Sequence, residues 1–160
     1  MKSMDTTDLN LLTEQIFRDA AFGLIVLTIV LASNAFLFIQ IYLWYVRSCA
    51  ILLNAKNFSL IMRFVVAVLL MSLVQVASIL IWTVALFSIG LIEDPRSAML
   101  FAGSCYTTLG IFSDLLPQGW KSVAFYIAFS GLFSFAIATS SMISMISIIT
   151  KKIYKTVKKV

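Results

Sequence analysis

Cys105-Tyr106-Thr107-Thr108-Leu109-Gly110-Ile111-Phe112-Ser113-Asp114-Leu115-Leu116-Pro117 is a short polar segment set between two long uncharged apolar runs. Irregular backbone at membrane depth is tolerated only where protein covers it or where it lines water. Paired threonines followed by glycine and then aspartate offer hydroxyl and carbonyl oxygens suited to a dehydrated cation. The segment reads as a re-entrant loop along an ion pathway.

The runs on either side are residues 64–92 and 122–150, and a third lies at 20–46. Each exceeds the ~20 residues that cross the hydrocarbon core as a helix. Tyr42, Trp44, Tyr45 and Trp120 near their ends fit an interfacial aromatic belt. The expected fold is an all-α membrane protein: three transmembrane helices, with a re-entrant pore helix and filter loop between the second and third. Composition agrees. Of 160 residues 61% are hydrophobic, and the mean hydropathy of +1.03 sets aside a water-facing fold.

Charge placement sets the orientation. With three crossings, the tail side carries Arg47, Lys56, Arg63, Lys151, Lys152, Lys155, Lys158 and Lys159 and no acid. The other side carries all seven acids, Asp5, Asp8, Glu14, Asp19, Glu93, Asp94 and Asp114, with Lys2, Arg18, Arg96 and Lys121. The positive-inside rule places the tail and the 47–63 loop in the cytoplasm and the N-terminus outside, in a plasma (cell inner) membrane.

Residues 1–19 read as an extracellular amphipathic lead-in, with Thr7 or Asp8 as a helix cap. They lack the basic start and immediate apolar stretch of a signal peptide. Segment 47–63 reads as cytoplasmic and interfacial, amphipathic from Ser48 to Met62. The basic tail 151–160 reads as an anchor on anionic membrane lipid, or a site for a regulatory lipid. Cys49 and Cys105 fall on opposite sides, where one chain cannot bridge them. The chain has no histidine. With no convergent acid pair in a span either, enzymatic acid–base or metal chemistry is not expected. No cofactor and no nucleic-acid partner are expected; K⁺ or Na⁺ enters only as a permeant ion.

Within the 64–150 module, Glu93-Asp94-Pro95 supplies an acidic cap and then proline at the first helical position. A pore helix over 95–108 is too short to cross a bilayer, and its C-terminus would point a partial negative charge at a cation. The filter would follow over 107–114, with Asp114 bracing the loop or drawing cations to the mouth. One loop cannot encircle an ion, so several copies must form a closed ring.

Residues 64–150 resemble the pore module of tetrameric potassium channels: outer helix, pore helix, filter and inner helix. Thr107-Thr108-Leu109-Gly110 resembles the family's Thr-Thr-Val-Gly, and Asp114-Leu115-Leu116-Pro117 its Asp-Leu-x-Pro. Gly131-Leu132-Phe133-Ser134-Phe135-Ala136-Ile137-Ala138-Thr139 resembles the inner helix, whose glycine serves as a gating hinge. The resemblance implies a homotetramer with a filter of Thr107, Thr108, Leu109, Gly110, Ile111, Phe112 and Ser113. It implies K⁺ held by the backbone carbonyls of Thr108, Leu109 and Gly110. It also implies a hinge at Gly131, and Leu132, Phe135, Thr139 and Ile143 lining the pore or forming a gate.

The chain departs from the family beyond the first glycine. Gly110-Ile111-Phe112-Ser113-Asp114 stands where the family has Gly-Tyr-Gly-Asp, with one residue more and no second glycine. Non-glycine residues at positive φ cost roughly 1–2 kcal/mol each, so the outer filter cannot copy the family's geometry. Three readings follow: a cation channel passing K⁺, a nonselective or sodium-permeable channel, and a nonconducting scaffold or partner subunit.

Ser130, Ser134, Thr139, Ser140, Ser141, Ser144 and Ser147 fill the last span with hydroxyls, which serve either helix packing or a wet cavity. The amides Asn34, Gln40 and Gln75 are expected to bond between subunits. No span carries an ionisable residue or regularly spaced arginines, so neither proton coupling nor a voltage sensor is expected.

Overall fold

The computed structural model describes residues 6–51, 57–111, 116–117 and 120–157. The fold is all-helical, with α1 Thr6–Ile51, α2 Asn57–Ser88, α3 Pro95–Tyr106 and α4 Ser122–Val157. Three helical stretches are long and apolar enough to cross a membrane: Phe17–Cys49, Phe58–Ser88 and Ser122–Lys152. At 12 residues, α3 measures about 18 Å, well short of the ~30 Å hydrocarbon core.

The helices differ from the expected segments in ways the chain explains. α1 is unbroken through 46 residues, so the lead-in and the first span are one helix. Thr7 and Asp8 lie inside it rather than capping a separate one. No glycine or proline precedes Gly23 to interrupt it. Within the 47–63 segment, residues 52–56 lie outside the described residues. α1 continues to Ile51 and α2 begins at Asn57, while Lys56 lies outside the described residues. α4 runs on to Val157, which puts Lys151, Lys152 and Lys155 in helix, where cations offset the C-terminal dipole.

α2 ends at Ser88, short of 92, because Gly90 takes φ +68°. Gly90 N–H donates to Phe87 O at 3.0 Å and Leu91 N–H to Leu86 O at 3.1 Å. This is a Schellman ending with glycine at its left-handed position.

The chain divides into two compact units. The first comprises Met1–Leu31 and Ser78–Phe133. Its core gathers Val26, Val30, Trp82, Leu86, Val123 and Ile127 around the buried stripe of α3. That stripe, Ala98, Phe101, Ala102, Cys105 and Tyr106, follows helical spacing. Trp82 is fully buried, and its indole N–H donates to Ser130 Oγ at 2.9 Å. Where α1 meets α4, a side chain on Gly23 would collide with the Tyr126 ring. Asp19, grouped by sequence with the acids of the outer side, is buried and accepts a hydrogen bond from the Ser122 hydroxyl.

The second unit comprises Ala32–Ala77 and Ser134–Val160. Phe38, Tyr45, Ala67, Met71, Ala138 and Met145 form its core. Tyr45, expected in an interfacial belt, is fully buried, and its hydroxyl reaches Met145 O at 3.5 Å. Asn34 is buried and donates to Ser134 Oγ at 2.7 Å. This amide therefore bonds within the chain, not between subunits, because α1 lays it directly on α4.

Candidate functional site at the end of α3

α3 is fixed at both ends by its own sequence. At its start Asp94 sits in extended backbone (φ −94°, ψ 118°), and Pro95 takes the first turn, where a missing N–H costs nothing. Asp94 Oδ2 accepts from Ser97 N at 2.9 Å and from Ser97 Oγ at 2.7 Å. These two bonds, the hydroxyl first, hold the exposed Asp94 carboxyl below the usual carboxylate range.

At its far end the chain folds back on the helix. Thr107 N–H donates to Gly103 O at 3.0 Å and Thr108 N–H to Cys105 O at 2.9 Å. Leu109 N–H and Gly110 N–H both reach Ser104 O, at 2.8 and 3.1 Å. The Thr107 hydroxyl also turns inward, to Gly103 O at 2.7 Å. The pattern is a second Schellman ending, which stops the helix at Tyr106 rather than at the expected 108.

Two features separate this ending from that of α2. The left-handed position, glycine in α2, is Thr108 here, a β-branched residue at φ +60°. The residue after it, buried-side Leu91 in the first case, is Leu109, which is 67% exposed.

Four consecutive amides are thus committed to the carbonyls that end α3. Among the described residues, no donor is directed at the carbonyl oxygens of Thr107 through Gly110. Thr107, Thr108, Leu109, Gly110 and Ile111 are all exposed. With its amides spent on α3 and its carbonyl oxygens unclaimed by backbone donors, the loop is better suited to a cation than to an anion. Phe112, Ser113 and Asp114 lie outside the described residues.

Behind the loop stands Gly131, expected as a hinge. It is buried, and a Cβ there would overlap the main-chain oxygen of Tyr106. Its lack of a side chain is what lets α4 approach the end of α3. The neighbouring Ser130, held by Trp82, also donates to Ile127 O at 2.7 Å. Sequence reading missed this seat, since a lone glycine in a span carries no sign of what it touches.

The residues expected along the pore, Leu132, Phe135, Thr139 and Ile143, are all exposed, on the side of α4 opposite Ile127, Ser130, Ser134, Ala138 and Met145. This exposed side is rich in hydroxyls: Thr139, Ser140, Ser144, Ser147 and Thr150. The exposed side of α2 is aliphatic by contrast, with Leu69, Leu73, Val76, Leu80 and Val84. Its Ser72 hydroxyl is turned onto Val68 O. Cys49 and Cys105 are both free thiols, each buried. Among the described residues, no three His, Cys, Asp or Glu side chains converge. No protein-family model, curated protein or solved structure matches the chain.

Proposed function

We propose that this chain is one subunit of a cation channel resembling potassium channels. Four copies would close a ring around a central pore and pass monovalent cations, K⁺ foremost, down their gradient. The observation that carries this reading is the hydrogen bonding of residues 107–110: every amide is folded onto α3, and among the described residues no backbone donor claims their carbonyl oxygens. The dipole of α3 adds a partial negative charge at the same place. Under this reading α3 is a re-entrant pore helix, Thr108, Leu109 and Gly110 supply the carbonyls that replace water on K⁺, and Leu132, Phe135, Thr139 and Ile143 line the cavity. The charge split puts the N-terminus outside a plasma membrane. It also sets Lys151, exposed at the start of the basic tail, against anionic lipid on the cytoplasmic face.

A nonselective pore is the second reading, favoured by Ile111-Phe112-Ser113, where the family's filter has its tyrosine and second glycine. Reversal potentials under bi-ionic K⁺ and Na⁺, on reconstituted protein, separate the two. A K⁺-dominated potential is the expected result. A potential near zero selects the nonselective pore. Absence of any cation flux from protein that native mass spectrometry finds tetrameric selects a nonconducting scaffold.

A further inference from the structure

Two hydrogen bonds set the register of α1 against α4 in the second unit. Asn34 bonds Ser134 and Tyr45 bonds Met145, and both pairs are 100 residues apart. A constant offset means that the two helices run in the same direction there. Each residue of α1 therefore lies level with the α4 residue numbered 100 higher. Gln40 is level with Ser140, and Arg47 with Ser147.

All four side chains are exposed, and none makes a hydrogen bond or ion pair within the described residues. Other exposed hydroxyls in the spans behave differently: Thr28, Ser72, Thr139 and Ser144 each donate to the carbonyl four residues back. Gln40 lies seven residues from Arg47, so its amide is about 10 Å deeper than that first charge. Around it are Phe36, Leu37, Ile39 and Leu43, all exposed and apolar. An amide in that setting has no water to bond, and leaving it unpaired in hydrocarbon is costly.

We infer that the exposed face of α1 docks on the α4 flank of a second copy, with Gln40 donating to Ser140 of that copy and Arg47 to its Ser147. The inference rests on the reading that several copies assemble, and it names the surfaces that meet. The geometry supports a copy over an unrelated partner. Rotation about an axis along the membrane normal preserves depth, so residues level within one chain stay level between chains. Both donors are on α1 and both hydroxyls are on α4, two helical turns apart in each case. Donor face meets acceptor face, so the contact is head-to-tail and closes into a ring.

The test is disulfide trapping of full-length protein in membranes, with Gln40→Cys and Ser140→Cys introduced separately and together. The native cysteines are buried and are reported on by the single variants. Expected is a ladder of linked species in the double variant, closing at the mass of the native oligomer, with neither single variant linking. Gln40→Leu, which needs no new bond, should weaken association by roughly three- to tenfold per contact. Linking by Gln40→Cys alone overturns the inference, because like faces would then meet. An intact oligomer by native mass spectrometry without links in the double variant also overturns it, while the assembly reading stands. A monomer throughout overturns both.

Discussion

Gly131 in α4 lies so close to the Tyr106 carbonyl that a single methyl group between them would overlap it. The contact joins the helix proposed to line the pore with the last residue of the helix that carries the loop. A bend in α4 at this point would therefore have to move the end of α3. Gly131→Ala is expected to destabilise the protein by about 1–3 kcal/mol, the usual range for overfilling a packed site. Thermal unfolding in detergent measures the loss, and amide exchange at Leu109 and Gly110 should quicken with it. A free hinge would leave that exchange unchanged.

Thr108 occupies the left-handed position that glycine fills at the end of α2. Replacing it with glycine removes a steric cost of ~1–2 kcal/mol and adds an entropic one of ~0.5–1 kcal/mol. Thr108→Gly should hold the loop's amides about two- to fivefold more strongly against exchange. Gly90→Thr should do the reverse at Leu91. Equal exchange in Thr108→Gly and the parent would remove strain from the account of this loop.

Asn34 and Ser134 form a buried hydrogen-bonded pair between α1 and α4. Interhelical hydrogen bonds in membranes average about 0.6 kcal/mol and reach ~1.7 kcal/mol. A double-mutant cycle with Asn34→Ala and Ser134→Ala should return a coupling in that range, read from unfolding in detergent or lipid. Zero coupling would mean that apolar packing alone joins α1 to α4 here.

Asp94 caps α3 in its ionised form, and its pKa is lowered in the folded state. A lowered folded-state value means that the cap's contribution is complete above the ordinary carboxylate pKa of ~3.9. It is lost as the pH falls through the depressed value. The Ser97 amide shift, followed by NMR across acid pH, should titrate at that lower point. Asp94→Asn should abolish the titration and keep the helix start, because asparagine caps nearly as well.

Thr139 and Ile143 are exposed on α4, as Leu73 is on α2, yet the proposed channel gives them different surroundings. Cysteine at 139 or 143 should react with a hydrophilic thiol reagent, and cysteine at 73 should not. Equal protection of all three would place Thr139 and Ile143 in lipid or between helices.

Much of this architecture is written locally. Uncharged runs longer than a bilayer leave no alternative to long helices, since in lipid each peptide group must bond within its own segment. Asp94-Pro95 marks a helix start because cap and proline act on adjacent residues. The polar loop stood out for the same reason, as a short irregular stretch between two apolar ones. Its closing turn did not, because nothing in Thr107-Thr108-Leu109-Gly110 signals that threonine takes the left-handed position.

What neighbours do to one another was hidden. Hydropathy marked the spans without revealing which side of each is covered, so Tyr45 read as interfacial and Asp19 only as one of the outer-side acids, while both are buried against α4. Asn34 looked like a bond to another subunit until α1 was laid along α4 in register. That Gly131 sits against the Tyr106 carbonyl shows only once α3 and α4 are packed. Helix formation depends on hydrogen bonds four residues apart, which a single stretch of chain contains. Burial depends on groups a hundred residues away, and their distances exist only once the helices are packed.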